Sequence, residues 1–436
     1  MAYLIKSADV YTKTELSIVD GKCIIKPISG NIGPLPGLYS KDGKFNRQAN
    51  RYIFYQKAVK QAKDINPLTQ ALKTYYTFLE DNNLEWDVFP TIKRMKPTYL
   101  FRSHLLKAIK NEDLAASTAS IRMNYIVKYY KWLMYEGYLR VSDTKAAPFI
   151  TEFVGKSRDD MLAHTSKEFS VETTDLRIKV PRDSNSKNIR PLKPLSLENF
   201  KTLVRYFPHI TEELKLQIMI AVGTGLRIQE VATLTLEAIE TATPFAESEH
   251  IYSVTVGPNN GVQTKFGIKR TIEMSSSLLK EIKKYMISDR RFKRVNKLQN
   301  LEPSKRKTSE ALLDALNRSE KHEPLFVSSH GYPATSKVIE SRWIELKKQI
   351  KKEHPKFDHR FHDLRSTYAT YRLHDLLENN LPQSHTLNLL MMWMGHRNER
   401  TTWKYLNYLN QKETFKTKLG LLSQIMHDVI EKEEYE

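Results

Sequence analysis

Apolar and polar positions change period several times along this chain. Up to about residue 60 they alternate in short stretches, Leu16-Ser17-Ile18-Val19 and Cys23-Ile24-Ile25, broken by Gly30, Gly33, Pro34, Pro36 and Gly37. Period two between turn residues predicts a small irregular β region. From about residue 64 the period turns helical, with Leu68, Leu72, Tyr75, Tyr76 and Leu79 on one stripe. A further helix is expected with Ser117 or Thr118 as cap, Ile121, Tyr125, Tyr129 and Leu133 on its apolar face, and Gly137 at its end. Between 155 and 194 no period holds. Helical spacing returns at Phe200, Leu203, Leu214, Ile218 and Val222. Two strands follow, Ile251-Tyr252-Ser253-Val254-Thr255-Val256 and Arg270-Thr271-Ile272-Glu273-Met274, with Asn259-Asn260-Gly261 and Phe266-Gly267 as turn residues between them. An apolar run from Leu389 to Met394 predicts a buried helix stopped by Gly395, and Leu422, Ile425, Met426, Val429 and Ile430 mark an amphipathic tail.

Composition narrows the function. The 436 residues carry a net charge of +19. Such a charge suits a polyanion, because basic side chains displace condensed counterions from phosphates; anionic membrane surfaces would attract it too. No apolar run reaches the roughly 18 residues of a membrane span, and the start lacks a signal-peptide core, so a soluble, cytoplasmic protein is expected. Cys23 is the only cysteine, which excludes an internal disulfide and a zinc site of several thiolates. The segment 155–194 holds Lys156, Arg158, Arg177, Lys179, Arg182, Lys187 and Arg190 among Pro181, Pro191 and Pro194, the composition of a linker running along a polyanion. Arg122, Lys128 and Lys131 lie off the apolar stripe of their helix and either solvate it or meet phosphates.

Four patterns in the second half carry candidate chemistry. In Gly223-Thr224-Gly225-Leu226-Arg227 the glycines permit a tight turn and Arg227 opens a helix, offering a guanidinium and a helix start to a phosphate. The spacing fails as a nucleotide-binding loop. Lys265 lies in the hairpin, with Lys269 and Arg270 as competitors. His362 and Arg365, three apart, fall on one helix face; a metal reading would have only His359 and Asp363 to add. Gly395-His396 presents an imidazole at a helix end, and nine residues later comes Tyr405, one of 22 tyrosines, with Tyr408 as the rival nucleophile.

In order and spacing these residues resemble the tyrosine recombinase (phage-type integrase) family, whose pattern is Arg, Lys, His-x-x-Arg, Gly-His and Tyr. The resemblance implies a mainly α fold with a small β-sheet or hairpin in the catalytic domain (α+β). It implies a helical, SAM-like core-binding domain at 61–150, a basic linker at 151–194 and a catalytic domain at 195–415, together forming a C-shaped clamp on DNA. Residues 1–60 would be an extension for arm-site or accessory contacts, and 416–436 a C-terminal helix docking in cis or in trans. The implied catalytic set is Arg227, Lys265, His362, Arg365, His396 and the nucleophile Tyr405, with Glu230 buttressing Arg227 or forming a surface ion pair. Arg122, Lys128, Lys131, Arg177, Lys179, Arg182, Lys187 and Arg190 would bind DNA.

The implied activity is site-specific recombination through a 3′-phosphotyrosyl intermediate, without cofactor or metal, for integration or excision of a mobile element. A homo-tetramer on two double-stranded DNA sites would perform it beside the nucleoid, with accessory DNA-bending or partner recombinase proteins and no membrane. A topoisomerase-like or telomere-resolving enzyme and a catalytically silent DNA-binding regulator are the alternatives. The basic stretch 283–307, ten Lys or Arg against two acidic residues, either contacts a partner or is a solvated insertion.

Overall fold

In a computed structural model the chain divides into two compact units, Met1–Pro191 and Leu192–Glu436. The residues described are all except 20–21, 63, 157–168, 181–191, 246–247, 302–309, 379–381, 397–398, 412–418 and 436. The architecture is mainly helical with small antiparallel sheets, as expected. Among the described residues no helix is long and apolar enough to cross a membrane.

The first unit opens with a two-stranded antiparallel ribbon, β1 (Tyr3–Val19) and β2 (Lys22–Tyr39), paired from Tyr3 with Tyr39 to Val19 with Lys22 through three register shifts. It is longer and more regular than the alternation predicts, because cross-strand hydrogen bonding continues past the glycines and prolines. Ala2, Leu35 and Leu38 join the core at its base, with Leu4, Val10 and Ile32 packed against it, while Leu16 and Ile18 near the far end stand exposed. Then come α1 (Arg47–Phe54), α2 (Asn66–Asp81), α3 (Pro97–Lys110) and α4 (Ala116–Tyr135). The expected stripe of α2 is buried as read. Helices α2 and α4 are joined below the surface by two tyrosine pairs, Tyr75 with Tyr130 at 2.7 Å and Tyr76 with Tyr129 at 2.8 Å. These bonds satisfy hydroxyls that burial would otherwise penalise.

Two expectations for α4 are corrected. The helix starts at Ala116 with Ala115 as a cap that gives no side-chain bond, ahead of Ser117 and Thr118. Ile121 is 51% exposed, and the buried face runs instead through Ala119, Met123, Ile126, Tyr129, Tyr130 and Leu133. A strict four-residue repeat drifts around a helix of 3.6 residues per turn, so its first member leaves the core face.

The stretch expected as a linker holds β3 (Thr151–Lys156) and β4 (Phe169–Thr174), an antiparallel pair, followed by Leu176 and Ile178 inside the first core. Two apolar side chains among many cations gave little hint of this in the sequence.

The second unit comprises α5 (Leu197–Val204), α6 (Glu212–Thr224), α7 (Ile228–Ala232), α8 (Leu236–Glu240), the sheet β5 (Thr243–Phe245), β6 (Ser248–Val256), β7 (Arg270–Ser275), and then α9 (Ser276–Met286), α10 (Asp289–Gln299), α11 (Glu310–Ser319), α12 (Ser336–Glu353), α13 (Phe361–Glu378), α14 (Gln383–Met394), α15 (Glu399–Gln411) and α16 (Leu419–Tyr435). The sheet order is β5-β6-β7, antiparallel throughout. Helices α6 and α13 are buried on nearly every face and form the centre of this core, which also takes in Leu422, Met426 and Ile430 of α16. The tail helix therefore packs against its own unit. Asp375 of α13 accepts from the Leu419 N–H at its start, at 3.1 and 3.2 Å.

Much of the basic stretch 283–307 is structural where it is described. Arg291 and Arg294 of α10 are buried; Arg291 binds Glu323, and Arg290 and Arg294 both hold the buried carboxylate of Glu213, at 2.7 and 2.8 Å.

Candidate active site

The site is assembled where α6, α7, β7, α13, α14 and α15 meet. Helix α6 ends at Gly225, which adopts a left-handed φ of 66°. Glycine enters that region without the steric cost of a Cβ. Space requires it as well, since a Cβ here would run into the Tyr368 ring and come within 2.9 Å of the Met394 sulfur. The turn delivers Arg227 to the start of α7, where the Glu230 carboxylate accepts from the Arg227 N–H at 2.8 Å and from its guanidinium at 3.2 Å. The helix start that the sequence offered to a phosphate is thus capped by Glu230, and α7 has only five residues; the Arg227 side chain remains 21% exposed.

Glu230 is fully buried, not part of a surface ion pair. Arg270, on β7, forks onto it at 2.9 and 2.7 Å. Burial opposes ionisation of Glu230, but the bonds from Arg270 and the Arg227 N–H outweigh it and hold the carboxyl below the usual range.

Three arginines grip three consecutive carbonyls at the end of α14. Arg270 Nε donates to Trp393 O at 3.0 Å, Arg365 donates to Met394 O, and Arg227 donates to Gly395 O at 3.4 Å. A helix leaves its last carbonyls without intrahelical partners, and here cations supply them and complement the negative helix end. Gly395 turns left-handed at φ 58°, and its missing Cβ would stand 3.0 Å from Arg270 Cδ. His396 is thereby delivered into the cluster.

Arg365 is 2% exposed and also donates to Gly225 O and, at 3.2 Å, to His396 Nε2. Burial and then the neighbouring Arg227 push its pKa down to about 9, so it is cationic at neutral pH in a place that favours an added negative charge. Burial, reinforced by Arg365, Arg227, Arg270 and His362, pushes His396 down to about 3 and keeps it neutral. Its other nitrogen, Nδ1, lies 2.9 Å from Thr402 Oγ1.

Tyr405 stacks parallel to His396, with ring centroids 6.1 Å apart and planes 1° apart. It is 5% exposed. Burial raises its pKa, against Arg365, a hydrogen bond with Ser366, and Arg227. Tyr408 is only half-buried and faces Tyr371, so of the two tyrosines Tyr405 is the one beside the arginines. His362 is exposed at the start of α13, near enough to bear on His396. Lys265 is exposed in the turn between β6 and β7, with its ammonium 5.1 Å from the Phe266 ring centre. Among the described contacts, no hydrogen bond or ring contact draws Lys265 to the cluster.

His359 and Asp363 are engaged elsewhere. His359 contacts the Lys193 carbonyl and Asn199 at 3.2 and 3.0 Å, and Asp363 accepts from the Arg360 N–H at 2.8 Å.

Of the expected DNA-binding residues, Lys128, Lys131 and Arg177 line one cleft of about 370 Å³ between α4 and β4, where Lys131 pairs with Glu172 at 2.6 Å. Arg122 is half-buried on α4 and Lys179 is exposed. Arg182, Lys187 and Arg190 lie outside the described residues. Sequence reasoning missed Arg270, named only as a rival to Lys265, and also Ser366 and Thr402. A separation of 40 positions between Glu230 and Arg270 leaves no local signal.

The Phage integrase family model matches residues 194–412, half of the chain and the whole of this cluster. The chain belongs to the phage integrase family. Phage integrases are tyrosine recombinases, and the chain is accordingly a site-specific DNA recombinase. Among curated proteins no sequence matches it. Similar solved structures include the XerH site-specific recombinase bound to difH substrate, at 14% identity and TM-score 0.45, covering 84% of this chain and 82% of that one. The Tn1549 transposon integrase in complex with transposon right end DNA is 15% identical with TM-score 0.47, covering 84% and 98%. A lambda integrase dimer bound to a core site is 13% identical with TM-score 0.43, covering 82% and 94%. Membership in the phage integrases rests on the sequence match.

Proposed function

We propose that this phage integrase cuts and rejoins DNA through a 3′-phosphotyrosyl link on Tyr405, in the service of a mobile element. The observation that carries the reading is the parallel stack of Tyr405 on His396 beside Arg365 and Arg227. Three guanidiniums around the single carboxylate of Glu230 leave a net positive site, suited to a phosphodiester gaining charge in its transition state. The Tyr405 oxygen attacks phosphorus and the bond to the 5′ oxygen breaks. His362 takes the phenolic proton, Lys265 gives a proton to the leaving oxygen, and Arg227, Arg365 and His396 hold the nonbridging oxygens. The freed 5′-hydroxyl of a partner strand then reverses the step, so the bond energy is kept in the protein-DNA ester and no nucleotide or metal is needed. A phenol with an ordinary pKa near 10, raised further by burial, requires such a base.

The first unit would grip DNA with the cleft of Lys128, Lys131 and Arg177, joined by Arg122, Lys179, Arg182, Lys187 and Arg190. Within it, residues 61–150 would be the core-binding domain and 1–60 an arm or accessory contact, while the helix of 416–436 would dock in cis on its own catalytic unit. Four cleavages on two duplexes call for a homo-tetramer, acting in the cytoplasm at the nucleoid with accessory DNA-bending or partner recombinase proteins.

The test is to express the parent and Tyr405→Phe in cells, isolate protein-linked DNA under denaturing conditions and sequence it. DNA at discrete loci with the parent alone is expected. Equal trapping by both would move the nucleophile to Tyr408. No trapping despite DNA binding would favour a silent regulator.

A further inference from the structure

Thr402 sits on α15 three residues before Tyr405 and is wholly buried. Its hydroxyl faces Nδ1 of His396, whose Nε2 faces Arg365 Nη2. A guanidinium can only donate, so Nε2 carries the lone pair in this state. The ring is neutral, and its one proton therefore sits on Nδ1, which donates to Thr402 Oγ1. The hydrogen-bond network thus assigns the tautomer.

The role of His396 in the proposed function needs the opposite arrangement. To donate to a nonbridging phosphate oxygen, Nε2 must carry the proton, and Nδ1 then becomes an acceptor. Few groups can serve both states of Nδ1. A backbone carbonyl or a carboxylate only accepts, and an ammonium only donates. A threonine hydroxyl rotates and does either.

Resting on that reading of His396, we propose that Thr402 is the positioning residue that lets His396 exchange tautomers. It accepts from Nδ1–H while Arg365 occupies Nε2, and it donates to Nδ1 once a DNA phosphate has drawn the Arg365 N–H away and Nε2–H points at the phosphate. The proton on Nδ1 leaves to water and another reaches Nε2 from water. The charge of the ring is unchanged, and no bond of the DNA is made or broken. Thr402 touches neither the phosphate nor Tyr405 oxygen chemistry; it acts through His396.

Two substitutions separate this role from packing. Thr402→Ser keeps the hydroxyl and loses the methyl group, whereas Thr402→Val keeps the shape and loses the hydroxyl. Covalent-complex formation is measured on duplexes carrying a locus recovered with the parent. The expected result is a loss of about 10- to 100-fold for Val, by analogy with the loss of outer-shell partners that orient metal-bound histidines, near-parent rates for Ser, and unchanged DNA affinity for both. A Val variant as fast as an active parent, or a crippled Ser variant beside it, overturns the inference alone. A parent that forms no covalent complex overturns the proposed function and this inference together.

The second readout is spectroscopic. Long-range nitrogen spectra of the histidine-labelled full chain, with His396→Gln to assign the signal, should show Nδ1 protonated in the free protein. With the same duplex bound to the Tyr405→Phe chain, Nε2 should be protonated instead. Nε2 protonation in the free protein, or one tautomer in both states, overturns the inference.

Discussion

The guanidinium of Arg270 forks onto the carboxylate of Glu230, with N–O distances of 2.9 and 2.7 Å, in a place where neither side chain reaches solvent appreciably. Glu230 in turn holds Arg227, while Arg270 holds the Trp393 carbonyl and lies against Gly395. One ion pair thus sets the positions of Arg227 and of the turn that carries His396.

Glu230→Gln keeps the shape of the side chain and removes its charge, leaving Arg270 buried without a counter-ion. Removing one partner of a buried pair costs about 3–5 kcal/mol. The midpoint of urea unfolding should fall accordingly; a midpoint matching the parent would show that Arg270 finds other partners.

Arg227→Lys and Arg365→Lys should each slow strand cleavage about 10²-fold, equivalent to roughly 3 kcal/mol of lost oxyanion stabilisation. An ammonium cannot hold a carbonyl and a phosphate oxygen in the plane a guanidinium provides. Single-turnover cleavage at saturating protein measures this, with duplex affinity changing much less. A loss confined to affinity would assign these arginines to binding alone.

Gly225→Ala should destabilise the second unit without touching a charged group. The new Cβ meets Tyr368 and Met394 at a backbone φ of 66°. Left-handed strain costs about 1 kcal/mol, and overpacking a full core adds about 1–3 kcal/mol. Thermal unfolding measures the sum, and an unchanged Tm would mean that α6 and α13 can separate freely.

His396 makes stability depend on pH. Its folded pKa is about 3 against an ordinary 6.5, so between those values the unfolded chain binds more protons than the folded one. Stability therefore rises with pH across this window and is lost as pH falls through it, by up to about 1.4 kcal/mol per unit from this one group. His359, lowered by burial, acts in the same direction. Glu230, lowered from 4.5, contributes stability that is present above its unfolded pKa and is lost as pH falls through its folded value. His396→Gln should flatten the loss between pH 6.5 and 5, a range above the ordinary carboxylate pKa. Unfolding midpoints taken in half-unit steps would show an unaltered slope if the imidazole were already protonated in the folded protein.

Elements with strong local signals were legible in the sequence. The apolar stripe of Leu68 to Leu79, the glycine-ended helices before Arg227 and His396, and the hairpin strands at 251–256 and 270–274 all appear in the fold. The expected start of α4 and the position of Ile121 did not hold, because capping preferences and a four-residue repeat are weak beside the packing of Tyr129 and Tyr130 against α2. The strands within 151–174 were hidden by a surrounding composition of lysine, arginine and proline.

By itself the sequence determined which chemistry the chain carries. A glycine-turned arginine, a His-x-x-Arg helix and a Gly-His followed nine residues on by a tyrosine are local patterns, each set by spacing along one or two elements. Only the tertiary structure decided how those patterns share partners. It made Glu230 a buried hub instead of a surface ion pair, chose Arg270 over its neighbours as the cation that binds it, turned three arginines onto the carbonyls of residues 393–395, and aligned Tyr405 rather than Tyr408 with His396. Those pairings join residues up to 168 positions apart. They follow from the requirement that buried charges and helix-end carbonyls find partners, a demand that arises only once the core has closed around them.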